Sequence, residues 1–113
     1  MSKTGQFLTT AEIKILANAA NLPDRGDLTV AGRSLQKHGE RADSLFPKAR
    51  GNPQSVNEQA CSIVDDILNN PDSTQTVRHH ARFGDIKEIY APDGQGIRYD
   101  LKDNFIGFIE KGD

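Results

Sequence analysis

The sequence predicts an α+β fold in which N-terminal helices pack on a four-stranded antiparallel sheet. Three observations carry that prediction. Apolar residues recur at helical spacing through the first 70 positions, the period falls to two from Thr74 onward, and hairpin-type turns separate the later segments. With 113 residues and 12.4 kDa, the chain has room for one domain with one small core.

The first helix is read over Thr10–Asn21. Thr9 and Glu12 form a capping box, Ile13, Leu16, Ala17 and Ala20 follow at helical spacing, and Pro23 stops the run. "LPDRGD" reads as a turn from its Pro, Asp and Gly content. Thr29 then caps a short second helix through "VAGRSLQKH", with Gly39 as a left-handed terminator. Phe46-Pro47 and Gly51-Asn52-Pro53 make the following segment an extended connector, of a length that often carries function. A second capping box, Ser55 with Glu58, opens a third helix, whose stripe of Val56, Ala60, Ile63, Val64, Ile67 and Leu68 runs to Asn70-Pro71. "TQTVRHHARF", "DIKEIYA", "GIRYDL" and "FIGFIE" then form a meander, with Asp93-Gly94 at one hairpin turn. In the first of these strands, alternation places Val77, His79, Ala81 and Phe83 on one face, and Arg78, His80 and Arg82 on the other.

Charge is unevenly distributed. The net charge is -2, yet residues 33–50 carry five basic against two acidic side chains, and residues 51–77 carry four acidic and none basic. Phosphate binding is therefore expected to be local, and a DNA-coating role is not expected. A single cysteine, Cys61, excludes an internal disulfide and lacks the spaced partners of a zinc site. No metal or cofactor is expected. No apolar run approaches the roughly 18 residues that span a bilayer, Met1 to Gln6 lacks signal-peptide order, and no membrane anchoring by this domain is expected.

Two constellations can carry chemistry. Arg33, Lys37 and Arg41 recur every four residues beside His38, which offers several cations to one anion. In "RHHAR", Arg78, His80 and Arg82 project from one side of a strand, so that two guanidinium forks flank an imidazole. His79 points the opposite way, and a buried ring under the third helix is its plainer reading. Tyr99 is a candidate to hydrogen-bond a phosphate or stack a base, with a core position as the alternative. Metal-free cleavage of RNA needs a base for the 2′-hydroxyl, an acid for the 5′-oxygen and fixed positive charge for the phosphorane. Two histidines among lysine and arginine supply that inventory. A solvated basic face, without catalysis, is the competing account.

The runs "AGRSLQKHGER" and "LFPKARGNPQSVNEQ", then "ILNNP" and "HHARFGDIKEIYAPDGQGIRYDLKDNFIGFIE", resemble the C-terminal toxin domains of bacterial contact-dependent growth inhibition (CdiA) and related polymorphic toxin proteins. The resemblance spans roughly Leu28 to Glu110. The closing hairpins are similar to the sheet of the barnase, EndoU, colicin and RelE class of ribonucleases. It implies a single toxin domain over 1–113, with a helical leading segment (1–27) and a ribonuclease core (28–113). It further implies a metal-independent endoribonuclease that cuts RNA, with tRNA the expected substrate, without a cofactor and under the control of a cognate immunity protein. Such a domain is delivered from the cell surface as part of a larger secreted protein and acts in the cytoplasm of the target bacterium. The matching motifs are "QKH", at Gln36, Lys37 and His38, and "HARFG", from His80 to Gly84. On this reading His38 and His80 share the acid and base roles, Lys37, Arg33 and Arg82 stabilise the phosphorane, and Arg41, Arg78 and Tyr99 bind substrate. A non-catalytic RNA- or protein-binding module, of immunity or adaptor type, is the alternative.

Overall fold

A computed structural model describes residues 8–110, which leaves the Met1–Gln6 segment considered above outside the described residues. Three helices, α1 (Thr10–Ala20), α2 (Val30–Gly39) and α3 (Pro53–Asn69), precede four strands, β1 (Thr74–His80), β2 (Gly84–Tyr90), β3 (Gln95–Asp100) and β4 (Phe105–Glu110). The strands form one antiparallel sheet in the order β1-β2-β3-β4. This is the α+β arrangement that the change of period predicts.

Helix starts follow local side-chain chemistry. Thr9 and Glu12 close the expected capping box on α1, and the Thr29 hydroxyl accepts the Gly32 N–H at the start of α2. The start of α3 differs from the expected Ser55 box. Asn52 is the cap, its Oδ1 accepting the Ser55 N–H at 2.9 Å, and Pro53 takes the first helical position. A proline there forfeits no helical bond and presets φ, so the helix begins a turn earlier. Gly39 also has a different role from the one expected. It is the last residue of α2 and is not left-handed; a β-carbon on it would lie 2.4 Å from the Pro47 carbonyl oxygen. The connector crosses the helix end there with no room for a side chain.

The sheet has one packed face and one open face. Ile89, Ile97, Tyr99 and Phe108 alternate onto the packed face, where they meet Leu16, Ala60, Val64 and Ile67. Burying such side chains stabilises the fold by about 1.5–3 kcal/mol each. Helix α2 packs on α3 and along the outer edge of β4, where the Ser34 hydroxyl accepts the Phe108 N–H at 2.9 Å. That bond satisfies an edge-strand donor and leaves the cationic side of α2 beside the open face of the sheet.

Tyr99 is a correction. It is fully buried on the packed face and its hydroxyl donates to the Leu16 carbonyl at 2.8 Å, so it belongs to the core and does not reach substrate. Burial pushes its phenol well above the ordinary tyrosine range. His79 is a second correction, because β1 extends past the helices that would cover it. Its ring is exposed and pairs with Asp85 at 3.1 Å.

Replacing Asn52 by alanine is expected to cost about 1 kcal/mol in urea denaturation, the usual value of a helix cap. Ser55→Ala should leave stability within about 0.5 kcal/mol, as expected away from a cap. The reverse ranking would refute the Asn52 cap.

Candidate active site

A cleft of about 370 Å³ lies between α2 and the open face of the sheet. Its helical wall carries Arg33, Lys37 and Arg41, and its sheet side carries Arg82, Phe83 and Arg98. Five basic side chains thus meet in one concavity with a single acidic one, Asp24, whose Oδ2 stands 3.7 Å from Arg33 Nε. His38 lines the same cleft from α2, largely buried, with its ring edge-on to Phe46 at 5.7 Å. Helical spacing explains the α2 row: Arg33 and Lys37 are one turn apart, and Arg41 lies just past the helix end.

The β1–β2 hairpin supplies the other side. The strand ends at His80, earlier than strict alternation predicted, and Ala81-Arg82-Phe83 turn back into Gly84, whose φ of 77° suits glycine. The turn brings Phe83 onto the side of His80, whereas alternation set the two on opposite faces. His80 Nδ1 accepts the Arg82 N–H at 3.0 Å and lies 3.4 Å from the Phe83 nitrogen. An acceptor at Nδ1 assigns the neutral ring its proton at Nε2. The ring packs on Phe83 with centroids 4.9 Å apart. Burial, and then the neighbouring Arg98 and Arg78, hold its pKa below the ordinary imidazole value of 6.5.

Beneath these cations is a carboxylate. Glu88 is almost fully buried on the open face of β2, where its Oε1 accepts from Arg78 Nε and its Oε2 from Arg78 Nη2, both at 3.0 Å. Arg98 Nε donates to Oε2 at 2.9 Å. Burial alone would raise the pKa of Glu88, but the hydrogen bonds from Arg78 and Arg98 outweigh it and hold the carboxyl below its ordinary 4.5. The fork of Arg78, expected to be open to substrate, is therefore occupied by Glu88. No group of three or more His, Cys, Asp or Glu side chains among the described residues is arranged to hold a metal ion.

A family model described as the CdiA C-terminal tRNase toxin domain matches residues 17–110. The chain belongs to that family. The toxic C-terminal tip of CdiA from Pseudomonas aeruginosa, solved at 1.75 Å in complex with immune protein, is 30% identical to this tRNase domain and superposes with a TM-score of 0.66. The match covers 82% of this chain and 99% of that one. No curated protein matches the chain. The family is a C-terminal toxin domain, carried as part of a larger protein, and its activity makes this chain an endoribonuclease. No described helix is long and apolar enough to cross a membrane.

The fold gathers Arg33, Lys37, His38, Arg41 and Arg82 of the tRNase domain around one cleft, and places His80 beside it against Phe83. Sequence reasoning missed Arg98 and Glu88. Their signal was available: the hairpin at Asp93-Gly94 pairs Tyr90 with Gly96, which sets Glu88 opposite Arg98 two steps further on.

Glu88→Gln is expected to destabilise the domain by about 3 kcal/mol near neutral pH, because it leaves Arg98 facing no anion. The carboxyl titrates below its free value, so its contribution is present above pH 4.5 and is lost as pH falls through the folded value. Urea curves of the two proteins should therefore converge in acid. A separate NMR titration of His80 should give a midpoint below 6.5; a midpoint above it would refute the cationic surroundings described here.

Proposed function

We propose that this domain is a metal-independent endoribonuclease toxin that cleaves tRNA in the cytoplasm of a target bacterium and is neutralised by a cognate immunity protein. The observation that supports the chemistry best is the convergence of α2 and the β1–β2 hairpin on one cleft with five cations and two adjoining imidazoles. The immunity partner is inferred from the related CdiA tip, which was solved with immune protein.

Phosphate binds where the cations converge. Arg33, Lys37 and Arg82 neutralise the charge that develops on the phosphorane, and Arg41 holds a neighbouring phosphate. Arg98, fixed by Glu88, joins them. His38 and His80 share the base and acid roles: one, neutral, takes the 2′-hydroxyl proton, and the 2′-oxygen attacks phosphorus. The bond from phosphorus to the 5′-oxygen then breaks, and the other, as imidazolium, supplies a proton to that oxygen. The products are a 2′,3′-cyclic phosphate and a free 5′-hydroxyl. Arg78 acts from behind, through Glu88, in holding Arg98.

Incubating the purified domain with total tRNA in chelator should yield discrete fragments ending in cyclic phosphate. His38→Ala and His80→Ala should each lower the cleavage rate by at least about 100-fold, the usual contribution of a general acid or base, with cooperative thermal unfolding retained, at a lower midpoint in His38→Ala because that ring is buried against Phe46. Wild-type rates in both variants would refute the assignment, and cleavage that requires added metal would refute the mechanism.

A further inference from the structure

Phe83 is not explained by packing. Phe46, Phe105 and Phe108 are buried in the core, whereas Phe83 keeps 37% of its surface exposed while lining the cationic cleft. An apolar ring in that position gains little from the hydrophobic effect. It is nevertheless held firmly. Its backbone lies in the turn that His80 Nδ1 ties down, the His80 ring packs against it at 4.9 Å, and the guanidinium carbons of Arg82 and Arg98 lie 5.1 and 5.7 Å from its centroid. Both distances are within the range in which a cation is attracted to an aromatic ring.

We propose that Phe83 is a stacking platform for an unpaired nucleobase beside the scissile phosphate, so that this domain cuts single-stranded loops and not duplex. The proposal rests on the ribonuclease reading above. A base is a flat, polarisable ring attached to a phosphate, and the cleft presents an exposed aromatic ring with two guanidinium groups next to it. Stacking on aromatic side chains is how proteins take up single-stranded bases, since every base has a π-face. A paired base has both faces covered by its neighbours and could not reach Phe83 without leaving the helix. At about 370 Å³ the cleft is at the lower end of small-ligand sites, a size for one extruded nucleotide and not for a double helix. Stacking here would orient the ribose whose 2′-hydroxyl attacks, so its effect should appear in kcat as well as KM.

The test begins by mapping the cut in tRNA. Two RNAs of that sequence are then prepared, one with the cut position in a loop and one annealed to its complement. Phe83→Ala should reduce kcat/KM on the loop roughly 10- to 100-fold, the loss expected for one stacked base. Phe83→Trp should restore it to within a few-fold, which excludes a general folding defect. In an uncleavable RNA with a 2′-deoxy sugar at the cut, a neighbouring 2-aminopurine should be quenched on binding the wild type but not Phe83→Ala. Equal cleavage of loop and duplex, or wild-type rate and quenching in Phe83→Ala, would overturn the platform while leaving the ribonuclease reading intact. A wild-type domain that leaves tRNA uncut would overturn both.

Discussion

The cleft depends on one buried carboxylate. Five cations cannot gather in a small concavity without mutual repulsion, and Glu88 relieves part of it by accepting from Arg98, one of the five, while Arg78 outside the cleft holds the carboxylate in place. Its burial matters as much as its charge. In the low-dielectric sheet surface the pairing is strong enough to keep the carboxyl ionised despite desolvation, and the Arg98 side chain is held in a fixed place. A nuclease that works by charge stabilisation gains from such fixed positions, because guanidinium groups already in place need not reorganise as the phosphorane forms.

A second constraint is the seating of α2. The helix covers the edge of β4 through Ser34 and packs on α3 through its apolar side, so the row from Arg33 to Arg41 is left beside the open sheet face. Gly39 permits the connector to pass close to the helix end, which brings Phe46 under His38. The helix is thus both a structural cover and one wall of the cationic cleft. This is an economical solution for a chain of 113 residues, whose core cannot be large.

The open face of the sheet distributes roles by alternation. Along β3, Ile97 and Tyr99 enter the core while Arg98 between them enters the cleft. Along β2, Ile89 packs under the helices and Glu88 beside it takes the ion pair. Cleft and core therefore share the same strands on opposite sides, and the hairpin at Ala81–Phe83 supplies the aromatic and cationic tip that a strand could not.

Much of this was legible in the sequence. The capping box at Thr9, the apolar stripe of α3, the Asp93-Gly94 hairpin and the switch from helical to alternating period are local signals, and each reflects contacts within a few residues. The basic residues of α2 and the pair His80 and Arg82 were legible for the same reason, since residue type and spacing alone mark them. What the tertiary structure decided was which of them meet. Tyr99 entered the core and His79 stayed exposed because burial depends on how far the helices extend over each strand, a distance no local pattern encodes. Glu88, Arg98 and Phe83 acquired their positions from strand pairing and from the turn that ends β1 at His80. Those are contacts between residues far apart in the chain or redirected by a turn, and only folding brings them together.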